Sequence, residues 1–344
     1  MKKKSIKITC WTIILIVLAV AIAGGLIYGK LNAKAFNIEK ATFIYIDERK
    51  NYNDLLSQLE SIGQINDIHF FKQLADRMKY PKNIKSGKYE IHSNTTYLEL
   101  VRMLRGGQQI PVKLTFNNIR LKKDFAERIG EQLMLSSDVL LEELHNFERC
   151  ESLGFDTTTI LTLFIPNTYE MYWNISVDKF MERMKKEYDH FWTEERLAKA
   201  RAISLNPVDI SILASIVEEE TAVKDEFPIV AGLYINRLKK GMLLQADPTV
   251  KFAVGDVTLK RILRVHTLVE SPYNTYINTG LPPGPIRIPS ISGIDGVLNY
   301  KKHPYLYMCA KEDFSGTHNF AITLSEHNQN AKKYQAALNR NNIR

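Results

Sequence analysis

Three consecutive glutamates, Glu218 to Glu220, close an apolar stretch of the sequence and are well suited to acid–base chemistry. The stretch opens at Pro207, a residue favoured in the first turn of a helix. At about 100° per residue, this helix would have an apolar arc formed by Ile210, Leu213, Ile216 and Val217. Glu220 falls in the middle of the arc, whereas Glu218 and Glu219 point away from it. Because an apolar wall disfavours the charged carboxylate, we expect the pKa of Glu220 to be raised, as a general acid requires.

The same glutamates also allow a simpler interpretation. The helix would end near Glu219, and the acidic side chains would only be exposed to solvent at its C-terminus. Acidic residues at the C-terminal end of a helix oppose the helix dipole, which weakens this interpretation. Glu218 is the second choice for the catalytic acid.

Other residue types that could support catalysis do not form a recognisable pattern. His303, His318 and His327 lack the spacing of a metal site such as HExxH, and the three cysteines lack CxxC spacing. We therefore predict no metal and no cofactor. His318, which precedes Asn319, is predicted to be structural because no Ser or Cys nucleophile is paired with it. A membrane-tethered protease is unsupported for the same reason.

The first thirty residues predict the compartment. Residues 10–29 contain no charged side chain, and twenty helical residues span roughly 30 Å, the thickness of the hydrocarbon core of a bilayer. Four lysines precede them, so residues 1–9 are expected in the cytoplasm and the rest of the chain outside it. The alternative is a cleaved signal peptide, since small residues at 19–23 offer cleavage sites. In either case most of the chain is exported.

Composition is compatible with a folded protein of more than one domain. The chain has 344 residues, of which 45% are hydrophobic and 24% charged, and its formal net charge is +8. The basic residues are spread along the chain and form no arginine-rich stripe with interleaved aromatic residues. Nucleic acid is therefore not an expected partner.

The elements that would position the glutamates fall into two parts after the anchor. Residues 40–108 predict a small α+β module, with a strand at 41–48, helices at 51–62 and 68–78, and a strand, turn and helix within 86–107. Residues 109–344 predict a mainly helical domain with a short β-sheet. The predicted fold class is thus α+β, with a single N-terminal transmembrane helix.

Within the second part, strands are predicted at 109–115, 304–310 and 319–324, and a final helix at about 325–340. A turn at 164–169 interrupts the helical pattern. The segment 247–292 is rich in Pro, Gly, Asn and Thr, and loops of that length within a compact domain are usually functional.

A series of short motifs follows the glutamates along the chain. They are Leu213–Thr221, Tyr234–Leu238, Gly241–Val250, Ser271–Tyr276, Gly280–Ile286, Tyr305–Tyr307, Gly316–Phe320 and His327–Asn328. In order and spacing this series resembles the MltG-type (YceG-like) endolytic murein transglycosylases. Upstream, Pro166–Tyr169 is similar to the Pro-Asp-Thr turn of that family, with Asn167 in place of Asp. Gly87–Tyr89 lies where the family has a small LysM-like module.

The resemblance implies the reaction and the catalytic residue. The family's catalytic glutamate immediately precedes a threonine, which corresponds to Glu220 before Thr221. The family cleaves the β-1,4 bond between N-acetylmuramic acid and N-acetylglucosamine without water and leaves a 1,6-anhydro end. Glu220 would first protonate the leaving oxygen, and its carboxylate would then take the proton of the attacking C6 hydroxyl. Most glycosidases use two carboxylates, but here the nucleophile is already part of the sugar.

The motifs also suggest residues that would bind the glycan. Amides that could bind acetamido and hydroxyl groups are Asn236, Gln245 and Asn274, the tyrosines that could stack on sugar rings are Tyr273 and Tyr276, and the other carboxylate is Asp247. Thr221 could orient Glu220. Asn236 with Arg237 could instead only fix a helix end, and Asp247 could only begin a helix or turn.

Two other functions remain open from the sequence. A non-catalytic scaffold that binds peptidoglycan would need no buried acid, and a hydrolase of the same glycan would need Asp247 to activate water. The resemblance implies peptidoglycan glycan strands as substrate and peptidoglycan synthases as partners. The membrane is a further partner through residues 10–29, and the predicted location is the bacterial inner membrane, with a single pass and an extracytoplasmic catalytic domain.

Overall fold

The structure is a computed structural model that describes residues 2–259 and 261–341. The predicted ranges 1–9 and 109–344 include Met1, Lys260 and residues 342–344, which lie outside the described residues. The helices are α1 Lys2–Leu31, α2 Tyr52–Ser61, α3 Ile68–Arg77, α4 Tyr97–Gly106, α5 Lys122–Gly130, α6 Ser137–His145, α7 Phe147–Ser152, α8 Val177–Phe191, α9 Glu194–Ala202, α10 Pro207–Glu220, α11 Phe227–Lys239, α12 Asp247–Val254, α13 Ile291–Leu298 and α14 Leu324–Arg340. The strands are β1 Thr42–Ile46, β2 Gly87–Ile91, β3 Pro111–Thr115, β4 Thr168–Tyr172, β5 Tyr307–Ala310 and β6 His318–Ala321.

Helix α1 is the predicted apolar N-terminal helix. Its segment Trp11–Leu31 is long and apolar enough to cross a membrane, and its side chains lie almost entirely outside any protein core. The length is therefore compatible with a single-pass membrane anchor. Helices α9 and α10 would together also be long enough, but they are bent by 75° and α10 is buried within the protein.

The first compact unit comprises Met1–Lys113, Gln132–Met134 and Glu170–Ile175. It contains the predicted order of strand, two helices, strand and helix, with β1 and β2 antiparallel. Side chains of Asn51, Asp67 and Thr96 cap the helices α2, α3 and α4, which explains why these short helices begin where they do. Its buried core is formed mainly by Ile44, Leu55, Leu59, Phe71, Tyr80, Tyr89, Ile91, Leu100 and Leu104.

The second compact unit comprises Leu114–Glu131, Leu135–Tyr169 and Ser176–Arg344, and α10 lies at its centre. Asn206 and Asp209 form a capping box at the start of α10, and Pro207 occupies its first turn. Helices α11, α12 and α13 pack against α10. Every residue of α10 from Ile210 to Val217 is buried, including two serines. The helix is therefore buried on all sides, rather than along the single apolar arc that the sequence predicted.

Two further elements were not assigned from the sequence. Strand β4 begins within the predicted turn at 164–169 and pairs with β3. Helix α12 occupies the start of the segment interpreted as a long loop, where Pro248 lies in its first turn and Gly255 ends it with a positive φ of 78°. The predicted β5–β6 hairpin and the final helix α14 are confirmed.

A glycine on α11 provides a test of the packing around this centre. A Cβ atom on Gly232 would overlap the carbonyl oxygen of Lys301 and would lie 2.7 Å from Nε2 of His303. Because the nearest atom belongs to the backbone, we expect Gly232→Ala to lower the free energy of unfolding by about 1–3 kcal/mol.

Denaturant unfolding of the variant measures this difference. Gly106→Ala is the matched control, because the nearest atom to its Cβ would be 3.7 Å away in a flexible side chain. The control should be neutral or slightly stabilising. Equal stability of the two variants would contradict the close packing at Gly232.

Candidate active site

The C-terminal end of α10 opens into a cavity of about 260 Å³ within the second unit. The polar and ionisable side chains that line it are Glu220, Tyr234, Arg237, Gln245, Asp247, Tyr276, Cys309 and His318. They come from α10, α11, the start of α12 and the residues just before it, the loop after α12, and the strands β5 and β6. The cavity therefore assembles groups that are separated by up to a hundred residues of sequence.

Glu220, the last residue of α10, has its carboxyl group enclosed by protein atoms, although solvent reaches part of the side chain through the cavity. Burial raises its pKa from 4.5 to about 7. The hydroxyl of Tyr234 donates a hydrogen bond of 2.5 Å to Oε1 of Glu220, which lowers the pKa but does not offset the burial. The negative charge of Asp247 raises the pKa further, and the positive charge of Arg237 lowers it. Glu220 is thus half protonated near neutral pH.

The other two glutamates of the run are engaged elsewhere. Glu218 accepts hydrogen bonds from the backbone N–H of Ser290, at 3.0 Å, and from its hydroxyl, at the start of α13. Glu219 forms ion pairs with Arg120, at 2.6 Å, and with Arg287. Neither residue lines the cavity, so the structure gives no site for Glu218 as a second acid.

Two of the predicted glycan ligands face each other across a hydrogen bond in the cavity. The hydroxyl of Tyr276 donates to Oδ1 of Asp247 at 2.6 Å. Gln245 also lines the cavity, and its backbone has a positive φ of 49°. Its Oε1 accepts a hydrogen bond of 3.4 Å from Nη1 of Arg237. The structure therefore brings Asp247, Gln245 and Tyr276 together with Glu220 in one cavity.

Three other predicted ligands are used by the protein itself. The amide nitrogen of Asn236 donates to the carbonyls of His303, at 2.7 Å, and Tyr305, at 3.1 Å. Asn274 is fully buried and its amide donates to two backbone carbonyls at 2.8 and 3.1 Å. The ring of Tyr273 packs against that of Phe252 at 4.7 Å between centroids. None of the three lines the cavity. Their side chains contact backbone carbonyls or a neighbouring ring of the protein instead.

Arg237 holds two walls of the cavity in place. Its Nε donates to the carbonyl of Leu306 at 2.7 Å, and its Nη1 donates to the carbonyls of Leu244, at 2.7 Å, and Leu243, at 3.2 Å. Within the described part of the chain, no carboxylate forms an ion pair with this buried guanidinium. Because no carboxylate of the described residues neutralises it in an ion pair, the positive charge of Arg237 acts on the groups that line the cavity.

His318, which the sequence predicted to be structural, also lines the cavity. Its Nδ1 lies 2.8 Å from Oε2 of Glu226, and its backbone N–H donates to Oε1 at 2.8 Å. Glu226 is almost completely buried and also accepts a 2.9 Å hydrogen bond from Thr221, the residue after Glu220. Sequence inspection missed Glu226 because it is 92 residues from His318 and belongs to no recognised motif.

Comparison with known proteins identifies the family. The YceG-like family model matches residues 44–333, which is most of the chain. The chain belongs to the YceG-like family. A solved YceG-like structure from Listeria monocytogenes has a TM-score of 0.54 and 26% sequence identity, and the alignment covers 85% of this chain and 99% of that one.

Curated relatives of this family member carry a functional name. A Bacillus subtilis protein named endolytic murein transglycosylase is 43% identical over 127 residues, which is 37% of this chain and 34% of that protein. A Streptococcus pneumoniae protein of the same name is 24% identical over 337 residues, covering 87% of this chain and 59% of that protein. The chain thus spans between a third and three fifths of the length of these relatives.

The chemistry available in this YceG-like cavity is that of proton transfer. In residues 2–259 and 261–341, no group of three or more His, Cys, Asp or Glu side chains is arranged to hold a metal ion. The absence of a cofactor remains a prediction. A carboxyl group titrating near neutral pH, a carboxylate–imidazole pair and several hydrogen-bonding side chains are suited to breaking a glycosidic bond by acid–base catalysis.

Proposed function

We propose that this chain is an endolytic murein transglycosylase that cleaves the β-1,4 bond between N-acetylmuramic acid and N-acetylglucosamine in peptidoglycan strands, with Glu220 as its proton donor. The names of its relatives support the reaction class. The observation that carries the proposal is the Glu220 carboxyl group, which lies in a cavity and has a pKa of about 7. A group with that pKa is protonated often enough at neutral pH to act as a general acid.

The proposed reaction begins with proton transfer from Glu220 to the glycosidic oxygen. The bond between that oxygen and C1 of the muramoyl residue breaks, and the C6 hydroxyl of the same residue attacks C1. The new bond closes a 1,6-anhydro ring, and no water is consumed. The attacking hydroxyl must lose its proton to an acceptor in the cavity, and the family resemblance implies that the Glu220 carboxylate could serve. Because the nucleophile is held within the substrate, its effective concentration is high.

Gln245, Asp247 and Tyr276 are proposed to bind the glycan beside Glu220. All three line the cavity, and together they offer an amide, a carboxylate and a phenol to hydroxyl and acetamido groups. Asn236, Tyr273 and Asn274 are instead proposed to hold the walls against which the sugar would lie.

A hydrolase of the same glycan is the second candidate, because Asp247 shares the cavity with Glu220. Two carboxylates that flank a glycosidic bond can activate water or form a covalent intermediate. The hydrogen bond from Tyr276 holds Asp247 in the cavity, where a base that activates water would have to lie.

Product analysis tests the proposed reaction. The full chain in detergent micelles is incubated with un-cross-linked peptidoglycan strands, and the glycan products are sized and identified by mass spectrometry. Internal cuts with 1,6-anhydromuramoyl ends are expected. Ordinary reducing ends would identify a hydrolase, and intact strands would favour a non-catalytic scaffold.

The setting of the enzyme is also proposed. Residues 10–29 would anchor it in the inner membrane, with residues 1–9 in the cytoplasm and the catalytic domain, residues 109–344, outside. Residues 40–108 would form a LysM-like module that contacts peptidoglycan, and peptidoglycan synthases would be its partners. The four lysines before the anchor support this orientation.

Tyr234→Phe is expected to shift the alkaline limit of activity upward. The variant keeps the ring but removes the hydrogen bond that lowers the pKa of Glu220. The pKa should therefore rise above about 7, and Glu220 should stay protonated to a higher pH. The pH dependence of kcat measures this shift. Tyr300→Phe is the matched control, since this tyrosine does not line the cavity. A downward shift in Tyr234→Phe would contradict the assigned role of the hydrogen bond.

A further inference from the structure

The buried carboxylate of Glu226 fixes both the position and the protonation pattern of the His318 ring. A carboxylate only accepts hydrogen bonds, so the 2.8 Å contact requires Nδ1 of His318 to carry the hydrogen. The backbone N–H of His318 donates to the other oxygen of Glu226 at 2.8 Å, which prevents the two side chains from moving apart. In the neutral ring, the remaining nitrogen, Nε2, then presents a lone pair.

Nε2 of His318 is the ring atom available to a substrate. The residue lines the same cavity as Glu220, and across the described residues Nε2 forms no hydrogen bond with the protein. This arrangement differs from that of His303, whose two ring nitrogens are both engaged with backbone atoms. A carboxylate that orients an imidazole and stabilises its protonated form is the arrangement by which enzymes make histidine a general base.

Thr221 links this pair to the catalytic helix. It directly follows Glu220, and its hydroxyl donates a 2.9 Å hydrogen bond to Glu226. The same hydroxyl accepts a hydrogen bond from the backbone N–H of Val223. Thr221 and Glu226 are both almost completely buried, so the connection between the end of α10 and His318 is rigid. The same network therefore positions the acid and the imidazole in one cavity.

We propose that His318, oriented by Glu226, is the base that removes the proton from the attacking C6 hydroxyl. The inference rests on the proposed transglycosylase function. As the bond from C1 to the leaving oxygen breaks, that oxygen takes the proton of Glu220. As the bond from C1 to O6 forms, Nε2 of His318 takes the proton of the hydroxyl. The proton on the imidazolium then passes to solvent and Glu220 regains one from solvent, so neither oxidant nor water is consumed.

Chemical rescue tests this role in the full chain. His318→Ala should reduce kcat on un-cross-linked glycan strands by about 10²- to 10⁴-fold, with KM changed much less. Added imidazole should restore part of the rate in a saturable way, because it can occupy the space of the lost ring and accept the proton. Rate constants with substituted imidazoles should increase with the basicity of the imidazole.

His190→Ala is the matched control, since this exposed histidine on α8 lies outside the cavity. Its activity should equal that of the parent, with and without imidazole. A kcat of His318→Ala within about threefold of the parent would overturn the inference. A larger decrease in kcat that added imidazole does not partly restore would also overturn it, whatever the stability of the variant. Failure of the proposed function itself is seen separately, because the parent would then yield no anhydro ends.

Discussion

Glu220→Gln is expected to reduce the rate of glycan cleavage by about 10²- to 10⁴-fold while leaving the fold intact. Glutamine has nearly the same shape and can still accept the hydrogen bond from Tyr234, but its amide has no acidic proton to transfer to the leaving oxygen. Since the interaction lost is one made during the chemical step, kcat should fall and KM should change little. The kinetics of release of soluble glycan fragments by the full chain measure both constants.

Glu218→Gln is the matched control on the same helix. Its carboxylate contacts Ser290 rather than the cavity, and the amide oxygen of glutamine can still accept one of those hydrogen bonds. The control should retain activity to within a few-fold of the parent. If Glu218→Gln lost activity and Glu220→Gln retained it, the proton donor would be Glu218. The assignment of Glu220 as the catalytic acid would then be wrong.

The stability of Glu220→Gln relative to the parent is expected to increase with pH. The pKa of the Glu220 carboxyl is about 7 in the folded protein and 4.5 in the unfolded chain, where the group is exposed to water. The contribution of the protonated carboxyl to stability is therefore fully present below pH 4.5 and is lost as the pH rises through 7. Glutamine does not titrate, so at alkaline pH the free energy of unfolding of the variant should exceed that of the parent by up to about 3 kcal/mol. The difference is smaller if solvent in the cavity stabilises the buried charge.

Thermal unfolding of the second unit at pH 4.5 and at pH 8.5 measures this difference. The two melting temperatures should be close at the acidic pH, and the variant should melt higher at the alkaline pH. Glu218→Gln again serves as the control and should show no such gain. A difference between Glu220→Gln and the parent that is independent of pH would contradict the burial of the Glu220 charge.

Features governed by local patterns were predicted well from the sequence. Helices α2, α3 and α4 carry apolar residues at helical spacing and begin at Asn, Asp and Thr caps, so their order with β1 and β2 was predicted correctly. Helix α10 was recognised from Pro207 and its apolar run. Glu220 was distinguished from its neighbours by its position on the helix, which is a property of three or four turns of chain.

Features governed by distant contacts were not predictable in the same way. Whether an amide faces a ligand or a backbone carbonyl depends on which segment packs beside it, and the partners of Asn236 are 67 and 69 residues away. The Glu226–His318 pair joins residues 92 positions apart. Strand β4 is short and belongs to a sheet of two strands among the described residues, so the Pro-Asn-Thr sequence at its start dominated the local signal.

Infrared titration of the Glu220 carboxyl group is the most direct test of the central claim, which is that this group is protonated near neutral pH. Spectra of the full chain minus those of Glu220→Gln, recorded as the pH is raised, isolate the band of one protonated carboxyl. The band should disappear with a midpoint at about pH 7. A midpoint near 4.5, the ordinary value for a glutamate, would show that Glu220 is ionised at neutral pH and is not the proton donor.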